Sequence, residues 1–227
     1  MPPQARVAIY YAPLPDDILA SLSNAWLGRD PVTSAPVQQP AIPGIAEVTA
    51  EPRRYGFHAT LKPPMRLAAG RTWQELMKAV RAIAAEIPPF NLPRLAVQDL
   101  HGFLALRETA PCPPLQALCD ACVGKLDGFR APPSDAELAR RRASRLTPAH
   151  DAMLQRWGYP YVFGEWFFHM TLTRRLSAEE KALFMPAAEA WFARALDMPR
   201  RVADICLFTQ VAPDAPFQMA ERVRLRG

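Results

Sequence analysis

The pentapeptide Phe57-His58-Ala59-Thr60-Leu61 returns as Phe168-His169-Met170-Thr171-Leu172. The chain has four histidines, and two of them occupy this one setting. Side chains along a β-strand alternate between faces, which places His58 and Thr60 on one face and Phe57, Ala59 and Leu61 on the other. The same alternation separates His169 and Thr171 from Phe168, Met170 and Leu172. Each copy therefore offers an imidazole and a hydroxyl on one side and an apolar face to bury on the other. If the copies lie side by side, two such pairs converge.

The flanking sequence repeats as well. In the first half a short β-type run at 6–11 precedes a helix at 16–27, whose Ile18, Leu19, Leu22 and Trp26 form an apolar stripe. A proline-rich loop at 28–52 leads to the first motif strand at 55–62, which Pro63-Pro64 is expected to stop. Thr72 and Glu75 form a capping box for a helix reaching Glu86, and strands at 92–98 and 102–107 follow. In the second half Pro114 opens a helix to about residue 126, and the motif strand falls at 165–173. Ser177 and Glu180 cap a helix bearing Leu183, Ala187, Trp191 and Leu196, and strands at 201–209 and 218–225 come last. The shared order predicts an α+β fold: duplicated β-α-β-α-β units, two lobes related by a pseudo-twofold axis, and a central cleft carrying one His-x-Thr motif from each half. The first lobe is read as 1–100 and the second as 101–227, with an insertion at 127–161 placed to serve specificity.

Composition narrows the function classes. Half of the 227 residues are hydrophobic and 22% are charged, as in ordinary globular domains. No apolar run has the eighteen or so residues of a membrane helix, and Met1-Pro2-Pro3-Gln4-Ala5-Arg6 lacks the apolar centre of a secretory leader. A cytoplasmic protein with no membrane partner is expected. The net charge of +5 favours an anionic ligand. Cys119 and Cys122 share a helical stripe with Leu115, Leu118 and Leu126, which reads as core packing. His101 and His150 fall in connectors without a threonine two positions on, so no metal and no cofactor is expected. Arg140-Arg141-Arg142 reads as a solvated helix face, the alternative being an anion-binding flap.

Two imidazoles facing one cleft suit acid–base chemistry near neutral pH. One neutral ring can accept a proton from an attacking hydroxyl while the other, protonated, donates to a departing oxygen. Threonine hydroxyls can hydrogen-bond non-bridging phosphate oxygens. Paired His-x-Thr motifs on strands of a duplicated fold resemble the two-histidine phosphoesterase superfamily, which includes RNA 2′,3′-cyclic phosphodiesterases and 2′-5′ RNA ligase-like proteins. The extended motif Arg54-Tyr55-Gly56-Phe57-His58-Ala59-Thr60-Leu61-Lys62-Pro63-Pro64 is similar to the branch encoded beside phosphonate-degradation genes. The resemblance implies catalysis by His58 and His169 and phosphate binding by Thr60 and Thr171, without metal.

Lys62, on the face of His58 and Thr60, is a candidate substrate-binding residue, as are Tyr10, Tyr11, Arg54, Trp166, Arg174 and Arg175. The expected activity is a metal-independent cyclic phosphodiesterase acting on a small phosphorylated sugar or nucleotide. The alternatives are an RNA-end-processing enzyme and a non-catalytic nucleotide or phosphate-ester binding module. No aromatic-rich basic stripe of the single-stranded RNA-binding kind is evident.

Overall fold

The computed structural model describes residues 5–143 and 145–227. Met1-Pro2-Pro3-Gln4, read above as part of a segment without a leader, lies outside them. Nine strands are described: β1 (Arg6–Tyr11), β2 (Ala59–Met65), β3 (Phe90–Leu92), β4 (Leu95–Leu100), β5 (Phe103–Glu108), β6 (Met170–Arg175), β7 (Arg200–Val202), β8 (Asp204–Gln210) and β9 (Gln218–Arg224). The helices are α1 (Ile18–Leu27), α2 (Ile45–Val48), α3 (Ala50–Tyr55), α4 (Trp73–Glu86), α5 (Pro113–Lys125), α6 (Asp135–Arg142), α7 (Pro148–Trp157) and α8 (Ala178–Leu196). The α+β class holds. No described helix is long and apolar enough to cross a membrane.

All neighbouring strands are antiparallel, in a four-stranded sheet ordered β2-β1-β8-β9, a three-stranded sheet ordered β4-β5-β6, and a pair β3-β7. In the first sheet β1 lies between motif strand β2 and β8; in the second, β5 lies between motif strand β6 and β4. Each half thus sends a late strand into the sheet founded by the other: β4 leaves the first half, and β8 leaves the second. The sheets do not follow a division of the chain at residue 100. The short strands β3 and β7 pair with one another, with Asn91 opposite Arg201.

One helix from each half, α1 and α5, crosses over in the same way. Helices α4 and α5 pack on the four-stranded sheet, and α1 and α8 on the three-stranded one. Local chemistry sets their ends. Asp17 caps α1 through the Leu19 amide (2.8 Å), and Gly28, at φ 79°, closes it in the left-handed conformation. Capping boxes at Thr72/Glu75 and Ser177/Glu180 start α4 and α8 where the sequence places them.

Several expectations need correction. The loop at 28–52 contains α2 and enters α3, two short helices held by tertiary contacts: Arg53 donates to the Leu27 carbonyl (2.6 Å), and Gln39 to the Trp26 carbonyl (2.8 Å). Pro63-Pro64 does not end the motif strand, which runs on to Met65; β2 is an edge strand, where a missing N–H costs no ladder bond. In α8 the buried positions are Phe184, Ala188, Phe192 and Ala195, displaced from the expected stripe, and Leu183 is 45% exposed. Cys119 and Cys122 are buried in the core, as read from their stripe.

Candidate active site

Both histidines stand one residue before their strands rather than within them, His58 ahead of Ala59 and His169 ahead of Met170. Upstream of His58, α3 ends at Gly56, whose φ of 75° turns the chain into the extended segment. Each ring then bonds the carbonyl two residues before it: His58 Nδ1 to Gly56 O at 2.8 Å, and His169 Nδ1 to Phe167 O at 3.2 Å. A carbonyl only accepts, so Nδ1 carries the proton in both rings. The lone pair of the neutral ring is therefore on Nε2, for which no partner is found among the described residues.

Both rings are crowded by aromatic groups. Tyr10 stacks on His58 with centroids 3.6 Å apart and 18° between planes. Phe167 lies 4.9 Å from His169, and Phe103 meets it edge-on at 6.1 Å. Burial lowers the His58 pKa to about 4; the Gly56 bond opposes this, and proximity to His169 adds to it. Burial likewise lowers His169, against its bond to Phe167 and with a contribution from the positive Arg107. Without an anion, both rings are neutral near pH 7. The expected pairing of one neutral with one charged ring therefore requires a bound negative charge.

The motif residues line two neighbouring hollows, and they do so crosswise. His58 shares a cavity of about 280 Å³ with Thr171, Tyr55, Phe103, Arg174 and Arg175. His169 shares the other with Thr60, Tyr159, Tyr161, Trp166 and Phe167. Each histidine is thus grouped with the threonine of the other motif. Two indoles tie the halves together reciprocally. Trp166 Nε1 donates to the Thr60 carbonyl (2.8 Å), and Trp26 Nε1 to the Leu172 carbonyl (3.1 Å).

Bulges re-aim both motif strands. In β2 the register passes from Tyr10↔Thr60 to Ile9↔Lys62, leaving Leu61 as an extra residue. In β6 it jumps from Ala105↔Thr171 to Phe103↔Arg175, and the Leu104 amide bonds the Thr173 hydroxyl (3.0 Å) in place of a ladder carbonyl. Such irregularities concentrate beside active sites.

The first bulge removes Lys62 from the cleft. Its ammonium is buried under α5, bonded to the Val123 carbonyl (3.0 Å) and 3.5 Å from Asp127, and burial draws its pKa down to about 8. Tyr11 faces the main core. Arg54 donates to the Pro213 carbonyl (3.3 Å) and lines a separate hollow. Arg174 reaches the His58 cavity while bonding Glu180 through two nitrogens (2.9 and 2.8 Å). Tyr10 and Trp166 contact the motifs as described. Sequence reasoning misses Tyr55, Phe103 and Arg107, and also Tyr159 and Tyr161, which follow α7. The last two belong to the 127–161 insertion, which borders the Thr60/His169 hollow.

Residues 60–218 match the model of a family described as a protein of unknown function (DUF1045), which covers most of the chain. The chain belongs to the DUF1045 family. Two curated relatives are similar over almost its whole length. A protein of Janthinobacterium sp. (strain Marseille) named ribose 1,5-bisphosphate phosphokinase PhnN is 39% identical over 231 residues, covering 98% of this chain and 51% of the relative. One of the same name from Laribacter hongkongensis (strain HLHK9) is 34% identical over 223 residues, covering 97% and 52%. This DUF1045 protein spans about half the length of the curated relatives it matches. Among solved structures, E. coli LigT complexed with 3′-AMP is similar at 13% identity, 98% coverage of both chains and TM-score 0.45. TT0787 of Thermus thermophilus is similar at 16% identity, 98% coverage of both and TM-score 0.48. The phosphonate-associated branch expected from the extended motif is thus the family found.

Proposed function

We propose that this DUF1045 protein is a metal-independent phosphoesterase that opens a cyclic phosphodiester of a small phosphorylated sugar or nucleotide, with His58 and His169 as its proton carriers. The observation that carries the reading is the matched state of the two rings: each commits Nδ1 to a carbonyl two residues upstream and keeps Nε2 available. Both rings border hollows that a threonine of the other motif also lines.

The chemistry balances with these groups alone. Substrate phosphate restores the proton to one ring, because a nearby negative charge favours the imidazolium. The other, neutral ring takes a proton from water as the water oxygen bonds to phosphorus. The ester P–O bond breaks, and the imidazolium proton passes to the departing oxygen. Thr60 and Thr171 donate hydrogen bonds to the non-bridging oxygens, where charge accumulates. The product is a phosphate monoester, and the two rings have exchanged protonation states.

The relatives' name concerns a phosphorylated ribose, which agrees with a small sugar phosphate as substrate. The chain has no Gly-x-x-x-x-Gly-Lys-Ser/Thr sequence, the phosphate-cradling loop of many kinases, so we assign the phosphoesterase chemistry rather than phosphoryl transfer to this half of the relatives' length. The test is turnover of nucleoside 2′,3′-cyclic phosphates and ribose cyclic phosphates, followed by phosphorus NMR in the presence of EDTA. Ring opening by the wild type and its loss in His58→Ala and His169→Ala would support the reading. Loss of activity in EDTA with recovery on adding zinc or manganese would overturn its metal-independent form. Tight binding of these compounds with no turnover would favour a binding module.

A further inference from the structure

Beside the histidine cleft lies a second depression with no part in the chemistry above. It comprises two adjoining hollows, the larger about 440 Å³, which share Arg6, Arg66, Glu137 and Arg140. Arg54 lines one of them and Arg141 the other. Among the described residues, most of this positive charge has no carboxylate partner. Arg66 pairs with Glu137 (2.9 Å), but Arg6 bonds the neutral Gln210 (2.7 Å) and Arg54 a backbone carbonyl. Arg141 sits over the Tyr159 ring at 4.7 Å, and no ion pair to Arg140 is found among the described residues. The other acid present is Asp214, so arginines outnumber carboxylates.

Like charges gathered without counter-charges repel, and here the repulsion registers on Arg141. The Arg141 pKa is lowered, first by burial, with Arg140 and Arg6 adding to it against Tyr159 and Glu137. Such a cluster is stabilised by an anion, and guanidinium groups match phosphate oxygens in pairs.

The depression meets the catalytic cleft on both sides. Tyr55 lines both it and the His58 cavity. On the other side, Arg141 packs on Tyr159, which lines the Thr60/His169 hollow. Arg6, Tyr55 and Tyr159 all act electrostatically on Tyr10, the ring stacked beneath His58.

We propose that this arginine-lined depression binds a second, non-reacting phosphate monoester of the substrate, so that the enzyme selects sugar phosphates bearing a terminal phosphate in addition to the ester it opens. The inference deepens the phosphoesterase reading and rests on it for the identity of the reacting group. Arginines from β1, α3, the residue after β2 and α6 converge here, which gives the inserted α6 a role in substrate choice.

The experiment separates binding from turnover. In titration calorimetry, ribose 5-phosphate should bind the wild-type chain, and ribose should bind at least tenfold more weakly. Arg140→Gln, at an exposed position, and the double variant Arg54→Gln/Arg140→Gln should weaken ribose 5-phosphate by about 10- to 100-fold, the range for charge-assisted hydrogen bonds. Arg142→Gln on the same helix, whose guanidinium pairs with Asp151 outside the depression, should leave that binding unchanged. In turnover, the kcat/KM preference for adenosine 2′,3′-cyclic phosphate carrying a 5′-phosphate over the same compound without it should collapse in the double variant. Equal binding of ribose and ribose 5-phosphate, or an unchanged preference in the double variant, would overturn the proposal. If no cyclic phosphate is opened but the calorimetric losses are as stated, the phosphate site stands and the phosphoesterase reading falls.

Discussion

At the residue scale, the two histidines are equivalent in hydrogen bonding and different in surroundings. His58 lies against Tyr10, while Ala105 occupies the matching place opposite Thr171. His58→Ala and His169→Ala should each lower kcat by about 10²–10⁴-fold with the fold intact, and the double variant should lose much less than the product. The pH dependence of stability follows from the depressed His58 pKa. Above the ordinary histidine value the ring is neutral whether folded or unfolded. As pH falls from about 6.5 towards 4, the unfolded chain binds a proton that the folded one resists, so stability is lost across that window. Thermal melts should show Tm falling between these limits, less steeply in His58→Gln and less steeply with phosphate bound. Equal slopes in wild type and variant would refute this assignment. Lys62→Met should alter Tm rather than KM, because Asp127 keeps Arg130 at 2.9 Å and Lys62 faces away from the cleft. The motif residues are legible because a pentapeptide said twice carries its own control. Lys62 escapes that reading because alternation assumes an unbroken ladder, and the bulge at Leu61 is a property of the paired strands, not of either alone.

At the element scale, capping chemistry is readable and rotation is not. Thr72/Glu75 and Ser177/Glu180 act through neighbours in sequence, so the starts of α4 and α8 follow from local composition. Which face α8 buries depends on what stands opposite: Trp26 meets Phe184 and Phe192 at 6.5 and 5.6 Å, drawing the buried stripe one residue past Leu183, Ala187 and Trp191. Phe184→Ala should cost about 3–5 kcal/mol in denaturant unfolding, while Leu183→Lys should change stability by less than about 0.5 kcal/mol. The reverse order would return the helix to its expected rotation. The helices α2 and α3 are unreadable for a related reason: at four and six residues they are too short to be stable on propensity, and side chains from elsewhere hold them.

At the scale of the whole molecule, the order of elements is legible in the sequence, but the exchange of strands between sheets is not, since a strand's own sequence does not say which sheet it joins. Because β8 and β9 complete the sheet founded by β1, and β4 the sheet founded by β5, we expect one cooperative unfolding transition, coincident by circular dichroism and tryptophan fluorescence. Two separated transitions would mean that the lobes fold independently. The crosswise grouping of His58 with Thr171 and of His169 with Thr60 leaves neither half with a complete site. A polypeptide made of one unit would own a base without its hydroxyl and a motif carbonyl without its indole. It could complete a site only by associating with an identical copy through a self-complementary, isologous contact, and would then possess two equal sites. The present asymmetry, Tyr10 beneath one ring and an arginine-bearing insertion beside the other, is the kind of specialisation that a symmetric homodimer forbids.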